Sequence, residues 1–327
     1  MKKIIIFGAG ETGYAAYKHY GSEHVISFAD NNKTGEYCGL PIIGLPKLVE
    51  VQDKYDIVIA ARLYTEEISI RLRDAGVRSF VVFNEKTSNR AADTEKLASY
   101  KGIHKGKRCF IIGTGPSLTM EDLDTLHLHN EICFGTNKIF LAFEKTVWRP
   151  DYYFVSDWVF ASQYKEELSL LKIENKFVSD LSRDFWNGSG SENCVCFKLH
   201  QTFYDSELPP FSLDASDKIN QGLTVSYEAL QLAVYMGFSD IYYLGVDFDY
   251  SKDMLSGENH FAKNYFKSGE VHTPFRAEKQ LLAYQKAEMV SREQGFRIFN
   301  ATRGGKLEVF ERVDFDKLFP KRKGSHN

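Results

Sequence analysis

The stretch Lys107-Arg-Cys-Phe-Ile-Ile-Gly-Thr-Gly-Pro-Ser-Leu118 decides how the chain folds: an unbroken apolar run that breaks into a glycine turn and then a helix start. Apolar continuity without alternation is what a parallel strand buried on both faces requires. Gly113, Thr114, Gly115, Pro116 and Ser117 form the expected turn. Pro116 suits a first helical turn, and exposed N–H groups there can hold a phosphate. No Gly-Lys-Ser/Thr follows, so this is not a Walker loop, and the glycine spacing is not a full dinucleotide fingerprint. A tight turn without a ligand is the competing reading.

Toward the C-terminus the pattern repeats. Strands are expected at Glu131 to Asn137, Tyr152 to Asp157, Lys176 to Asp180, Cys194 to Phe197, Asp240 to Asp247 and Arg297 to Asn300. Helices are expected at Leu223 to Met236 and Arg276 to Gln294, each ended by a glycine, Gly237 and Gly295, at a left-handed C-cap. In open parallel sheets ligands bind beyond the carboxyl ends of strands, so Asn137, Asp157, Asp180, Asp247 and Asn300 are expected to converge on one crevice.

Toward the N-terminus, residues 84 to 105 are polar and charged and mark a boundary, with a connecting helix at 89–105. Ahead of it, Lys3 to Phe7 enters Gly8-Ala-Gly10-Glu-Thr-Gly13, and Asp30 ends the next strand. Gly8, Gly10 and Gly13 allow phosphate to approach a helix N-terminus, and Asp30 could accept from a ribose hydroxyl. After a turn-rich stretch, Gly39-Leu-Pro-Ile-Ile-Gly44, further strands are expected at Asp56 to Ala60 and Ser79 to Phe83, with a helix at Thr65 to Ala75. The segment is short for the six-stranded sheet that grips both halves of NAD, so a turn without a ligand stands level with a bound nucleotide. The expected fold is α/β, with two Rossmann-like parallel-sheet domains: a small one at 1–88 and a larger one at 106–327.

The 327 residues are 43% hydrophobic and 26% charged, with a formal charge of −3, which suits two folded domains and argues against a general nucleic-acid binder. No apolar run approaches the roughly 20 residues of a spanning helix, so a cytoplasmic protein is expected. Five cysteines, Cys38, Cys109, Cys133, Cys194 and Cys196, are scattered in strand-like contexts and read as buried reduced thiols. Aromatic residues reach 14%, either as core or as sugar-stacking surface at Asp151 to Phe160 and Phe185-Trp186.

Six ordered motifs carry a resemblance: Phe110 to Leu118, Gly135-Thr-Asn137, Asn220-Gln-Gly-Leu-Thr224, Gly237 to Phe248, Asn259-His-Phe261 and Asn300-Ala-Thr-Arg-Gly-Gly305. They resemble the 6-hydroxymethylpterin diphosphokinase-like family, which is itself similar to bacterial sialyltransferases that use CMP-activated sugars and to motility accessory factors. The first quarter of the chain resembles the sugar-nucleotide-binding domain of bacterial sugar acetyltransferases. The resemblance implies a sialyltransferase-like second domain moving a CMP-activated acidic sugar to a glycan, glycolipid or glycoprotein hydroxyl. It implies a nucleotide held by Gly113, Thr114, Gly115, Pro116, Ser117, Asn137, Asn220, Gln221, Thr224 and Asp247, with Asn300 and Thr302 closing over the base or ribose. The implied catalytic base is a histidine, His260 or His272, as proton removal from a sugar hydroxyl needs. Lys218 stands where the sialyltransferases carry a phosphate-holding tyrosine, a role Tyr250 or Tyr265 could take instead. Such transfer requires no cofactor. The alternative, an ATP-dependent diphosphokinase, needs Mg²⁺, for which Asp247, Asp249 and Asp253 are the candidates. The basic tail from Lys317 could touch an anionic membrane at its inner face weakly, and a homo-oligomer is a further expectation.

Overall fold

The computed structural model describes residues 3–61, 64–83, 92–186, 194–200, 208–249, 259–262, 264–267, 270 and 276–319, apart from the side chains of residues 11, 66 and 184. The chain forms two units, residues 1–90 and 91–327.

The first unit runs β1 (Ile4–Phe7), α1 (Glu11–Tyr20), β2 (Val25–Ala29), β3 (Gly35–Tyr37), β4 (Leu40–Ile43), α2 (Leu45–Val51), β5 (Asp56–Ile59), α3 (Thr65–Asp74) and β6 (Val81–Val82). The sheet order is β3-β4-β2-β1-β5-β6, with every pairing parallel except β3 with β4. Alternate residues of β1 go to opposite faces: Ile4 and Ile6 join one core, Ile5 and Phe7 the other. Both faces are therefore covered, as a continuous apolar strand demands.

The sequence reading of this unit needs two corrections. The sheet does reach six strands, because its edge strands, β3 and β6, are only three and two residues long. The segment from Gly39 to Gly44, read as turn-rich, is instead strand β4 returning from β3 in a hairpin. Its two-residue turn places Cys38 at φ 55° and Gly39 at φ 74°, the doubly left-handed geometry of a type I′ turn.

The second unit runs α4 (Thr94–Ala98), β7 (Arg108–Ile112), α5 (Met120–Leu128), β8 (Cys133–Thr136), a 3₁₀ segment (Asn137–Ala142), β9 (Tyr152–Val155), α6 (Trp158–Gln163), α7 (Lys165–Leu170), β10 (Asn175–Ser179) and β11 (Cys194–Phe197). It continues with β12 (Leu199–His200), β13 (Ile219–Asn220), α8 (Val225–Tyr235), β14 (Asp240–Leu244), α9 (Ala277–Gln294), β15 (Arg297–Asn300), β16 (Glu311–Arg312) and α10 (Phe315–Leu318). The main sheet is β11-β10-β9-β8-β7-β14-β15-β16 and parallel throughout. The chain leaves β7 toward β11, then returns to the other side of β7 at β14. That reversal makes the carboxyl end of β7 the topological switch point, where ligands of open α/β sheets bind.

Gly237 (φ 88°) and Gly295 (φ 81°) end α8 and α9 as expected. In the two stretches named as possible sugar-stacking surface, Tyr152, Tyr153, Phe154, Phe160 and Trp186 are buried, and Trp158 and Phe185 are half-buried. All five cysteines are free thiols, buried except for half-buried Cys38. No helix among the described residues is long and apolar enough to cross a membrane. The basic tail from residue 320 onward lies outside the described residues.

The stretch read as a connecting helix belongs to the second unit. Asp93 pairs with the edge strand β11, donating its amide to the Cys196 carbonyl (2.8 Å) and accepting the Cys196 amide on its carboxylate (2.9 Å). Leu97 is fully buried in that unit's core. Capping an exposed strand edge removes a template for unwanted pairing. Leu97→Ala is expected to destabilise the second unit by about 2–5 kcal/mol, measured as a shift in its denaturant midpoint; an unmoved midpoint would return residues 92–106 to the status of a connector.

Candidate functional site

The turn after β7 is built by close backbone approach. Gly113 donates its amide to the Leu244 carbonyl and Gly115 donates to the Gly245 carbonyl, both at 2.8 Å. A Cβ on Gly113 would lie 2.4 Å from the Gly245 oxygen, and one on Gly115 would lie 1.9 Å from the Asp247 carboxylate. The two glycines therefore lock the turn after β7 to the turn after β14. Ser117 completes the lock, its hydroxyl donating to Asp247 at 2.8 Å. Burial pushes the Asp247 carboxyl above its ordinary range. With Gly113 and Gly115 engaged, Pro116 lacking an N–H and the Ser117 amide turned toward Asp247, at most the Thr114 amide is left for a ligand. The expected cradle of several N–H groups is thus narrower than its sequence implies.

The first glycine turn is closed in the same manner. Gly8 (φ 118°) and Gly13 are obligatory, since a Cβ on Gly13 would lie 1.9 Å from the Gly8 oxygen, whereas Gly10 has open space. Asp30 accepts the Ala9 amide (2.9 Å) and the amides of Asn32 and Lys33. Burial would raise its pKa, but those backbone donors and the Lys33 charge hold the carboxyl below its ordinary range. Asp30 thus spends its acceptors on the loop itself, which favours a structural turn there.

Against the turn after β7 lies the segment that carries His260. The Phe261 amide donates to the Thr114 carbonyl (3.1 Å), and His260 Nδ1 lies 3.2 Å from the same oxygen. A carbonyl only accepts, so Nδ1 carries a proton, which leaves Nε2 as the ring nitrogen able to act as a base. The ring stacks on Tyr265 at 3.6 Å between centroids and 4° between planes. The Tyr265 hydroxyl meets Thr114 Oγ1 at 2.9 Å, and burial keeps this phenol protonated far above neutrality. His260 is therefore at the glycine turn. His272, Tyr250 and Asp253 lie outside the described residues.

On the other flank, Asn137 ends β8 with φ 45°, and its buried side-chain oxygen has no partner among the described residues. The Asn220 side-chain oxygen is likewise buried and unpartnered among them. An unpaired buried acceptor costs about 1–3 kcal/mol, which a ligand donor would recover. Leu223 (φ 59°) and Phe248 (φ 52°) share the left-handed conformation of Asn137. Three of the five described non-glycine residues with positive φ thus lie in loops beside this sheet edge, where stored strain accompanies function.

The loop from Asn220 to Thr224 is held by a carboxyl that sequence reasoning passed over. Glu228, 3% exposed on α8, accepts the Gly222 amide at 3.1 Å and the hydroxyl of Ser156 at the end of β9. The signal was present: an acid within the otherwise apolar helix Val225–Tyr235 must be either exposed or bonded. Gln221 donates its amide to the His200 carbonyl (3.0 Å), and Thr224 lies 3.0 Å from the Ser226 hydroxyl.

The remaining expected site residues are used internally. Asn300 is fully buried, its amide giving to the Leu307 carbonyl (2.8 Å) and accepting from the Thr302 amide (3.0 Å); Thr302 Oγ1 accepts from the Val246 amide (3.1 Å). They brace the loop against β14. Asp180 bonds the Leu199 amide and Asp157 caps α6, so the five strand-end residues do not converge; Asn137 and Asp247 flank β7. Lys218, 40% exposed, pairs with Asp217 at 3.5 Å, and among the described residues no hydrogen bond or ion pair links it to the glycine turn. Asp249 pairs with Lys306 (2.8 Å), and no group of three metal-ligating side chains occurs among the described residues. Asp247 accepts from Ser117 and Asp249 from Lys306, and Asp253 lies outside the described residues.

Burial raises the Glu228 pKa to about 7. A carboxyl raised in the fold binds more protons folded than unfolded between its two pKa values, so its ionisation costs stability as pH rises from about 4.5 through 7. Glu228→Gln removes that charge; its oxygen can still accept the Gly222 amide, and its NH₂ can donate to the Ser156 hydroxyl in reverse of the present bond. Its stability relative to the unsubstituted protein is expected to rise by on the order of 3 kcal/mol between pH 5 and pH 8, read from urea midpoints; a difference independent of pH would refute the buried ionisation.

Among solved structures, the chain is similar to the MAf glycosyltransferase from Magnetospirillum magneticum AMB-1, at 15% identity and TM-score 0.42 over 96% of this chain and 58% of that one. It is also similar to the sialyltransferase CstII from Campylobacter jejuni, solved with cytidine-5'-monophosphate, at 15% identity and TM-score 0.40 over 64% of this chain and 85% of that one. For the monofunctional alpha-2,3-sialyltransferase Cst-I from Campylobacter jejuni the values are 16%, 0.38, 60% and 75%. The chain thus spans little more than half of the MAf protein. No curated protein matches the sequence. The family model for 6-hydroxymethylpterin diphosphokinase MptE-like proteins matches residues 84–253, which holds the glycine turn, Asn137, the Asn220 loop and Asp247. That match covers more than half of the chain, which accordingly belongs to the 6-hydroxymethylpterin diphosphokinase MptE-like family.

Proposed function

We propose that the second unit is a glycosyltransferase that moves a sugar, CMP-activated and acidic, to a hydroxyl of a glycan, glycolipid or glycoprotein, with His260 as general base. One observation carries the reading: His260 is stacked on Tyr265 and bonded through Nδ1 to the Thr114 carbonyl, beside the glycine turn at the switch point. The ordered motifs shared with CMP-sugar-using sialyltransferases support the donor class, and the unpaired oxygen of Asn137 suits a donor such as a ribose hydroxyl or the cytosine amine.

In this mechanism the acceptor oxygen attacks the anomeric carbon and His260 Nε2 takes its proton. The bond from that carbon to the phosphate oxygen breaks, and CMP leaves with the electron pair. Tyr265, kept protonated by burial, and the Thr114 hydroxyl are the nearby neutral donors for the departing phosphate. A base whose unperturbed pKa lies near neutrality matches the task.

A second reading, an ATP-dependent diphosphokinase acting on a pterin-type alcohol, is favoured by the family match alone. The two separate in titration calorimetry: CMP is expected to bind about tenfold or more tightly than UMP, GMP or ATP. His260→Ala is expected to slow CMP release from a CMP-activated sialic acid by about 10²–10⁴-fold while CMP affinity holds. Absence of cytidine binding, together with AMP release from ATP and a pterin alcohol, would replace the first reading with the second.

A further inference from the structure

Lys138 follows Asn137 at the carboxyl end of β8, and its ammonium lies inside the protein with 3% of the side chain exposed. An ammonium out of water costs several kcal/mol unless its donors are engaged. Here Nζ donates to the Glu270 carboxylate and, at 2.8 Å, to the Tyr265 carbonyl. It also sits over three rings, Tyr265 at 4.4 Å, Tyr164 at 4.5 Å and Phe266 at 4.7 Å from their centroids. Glu270, 6% exposed, accepts in addition from the Tyr164 hydroxyl and the Lys267 amide (3.0 Å). Burial lowers the Lys138 pKa while Glu270 opposes that shift.

Four of these partners, Tyr265, Phe266, Lys267 and Glu270, belong to the segment that carries His260. Tyr265 is the shared piece. Lys138 holds its carbonyl and one region of its ring, Thr114 holds its hydroxyl, and His260 lies parallel to it. An apolar side chain of the same volume would avoid the cost of burial but could give nothing to the Tyr265 carbonyl or to Glu270.

We infer that Lys138 is a positioning residue: through Tyr265 and Glu270 it fixes the His260 ring in the orientation that keeps Nδ1 on the Thr114 carbonyl and the lone pair on Nε2. The inference rests on the reading of His260 as base, and it adds a residue that neither touches the substrate nor moves a proton.

The test compares Lys138→Met, Lys138→Arg and the pair Lys138→Met with Glu270→Gln, which leaves no unpaired buried charge and so protects the fold. Imidazole nitrogen shifts of His260, read by ¹H–¹⁵N correlation, report the tautomer without any substrate. CMP release from a CMP-activated sialic acid reports turnover, and calorimetry reports CMP affinity. Loss of the single-tautomer signature in both methionine variants is expected. With it, turnover should fall about tenfold or more and CMP affinity should change by less than about threefold, with Lys138→Arg restoring most of the rate. An unchanged tautomer in the double variant overturns the inference. A changed tautomer with unchanged turnover upholds the positioning and removes His260 as base. If the unsubstituted protein releases no CMP, the proposed reaction fails, and the tautomer comparison alone still decides the role of Lys138.

Discussion

The site depends on the contact between two backbones at the centre of the larger sheet. The turn after β7 and the turn after β14 approach so closely that neither Gly113 nor Gly115 can carry a side chain, and Gly305 closes on Asp247 from a third loop, where a Cβ would lie 2.1 Å from the Asp247 oxygen. Asp247 stands between them, accepting from Ser117 on one side and offering its carbonyl to the Lys306 amide on the other. Three loops distant from one another in the sequence are thus held at the switch point by close backbone packing and a few hydrogen bonds. The His260 segment then has a fixed surface, the Thr114 carbonyl, on which to rest.

The chain carries a formal charge of −3, and its glycine turns close on internal charge. Each glycine turn is occupied by an internal carboxylate, Asp30 in the first unit and Asp247 in the second. The buried cation nearest the second turn in sequence, Lys138, is neutralised by Glu270. No broad positive field draws a nucleotide in. Under the proposed function, recognition falls to short-range donors and acceptors, the Asn137 and Asn220 oxygens and the hydroxyls of Thr114 and Tyr265. Directional contacts of that kind favour selectivity over electrostatic capture.

The fold was legible wherever a strand is buried on both faces, because Lys107 to Ile112 or Asp240 to Leu244 can satisfy their apolar residues in no other way. It was least legible at edges. The β3–β4 hairpin turns on Cys38, where asparagine or aspartate would have announced a type I′ turn, and the polar segment before β7 gave no sign that Asp93 and Leu97 cap β11. The glycine turn after β7 and the strand-end place of Asn137 were legible from motif and position, and the structure sets His260 against that turn. The internal bonds of Asn300 and Thr302 were not, because a motif does not reveal whether a polar group faces its own loop. Glu228 and Lys138 were missed for the complementary reason: a buried charge is defined by partners far along the chain, Ser156 and Gly222 for one, Glu270 and Tyr265 for the other.

The central claim is that the carboxyl edge around β7 is a nucleotide site with His260 at its rim. A crystal structure of the protein with CMP bound tests it most directly. The account predicts the nucleotide against Thr114 and the side chain of Asn137, with its phosphate on the side of Tyr265 and His260. CMP bound at the Gly8 turn of the first unit, or a second unit whose glycine turn and Asn137 contact no nucleotide, would contradict it.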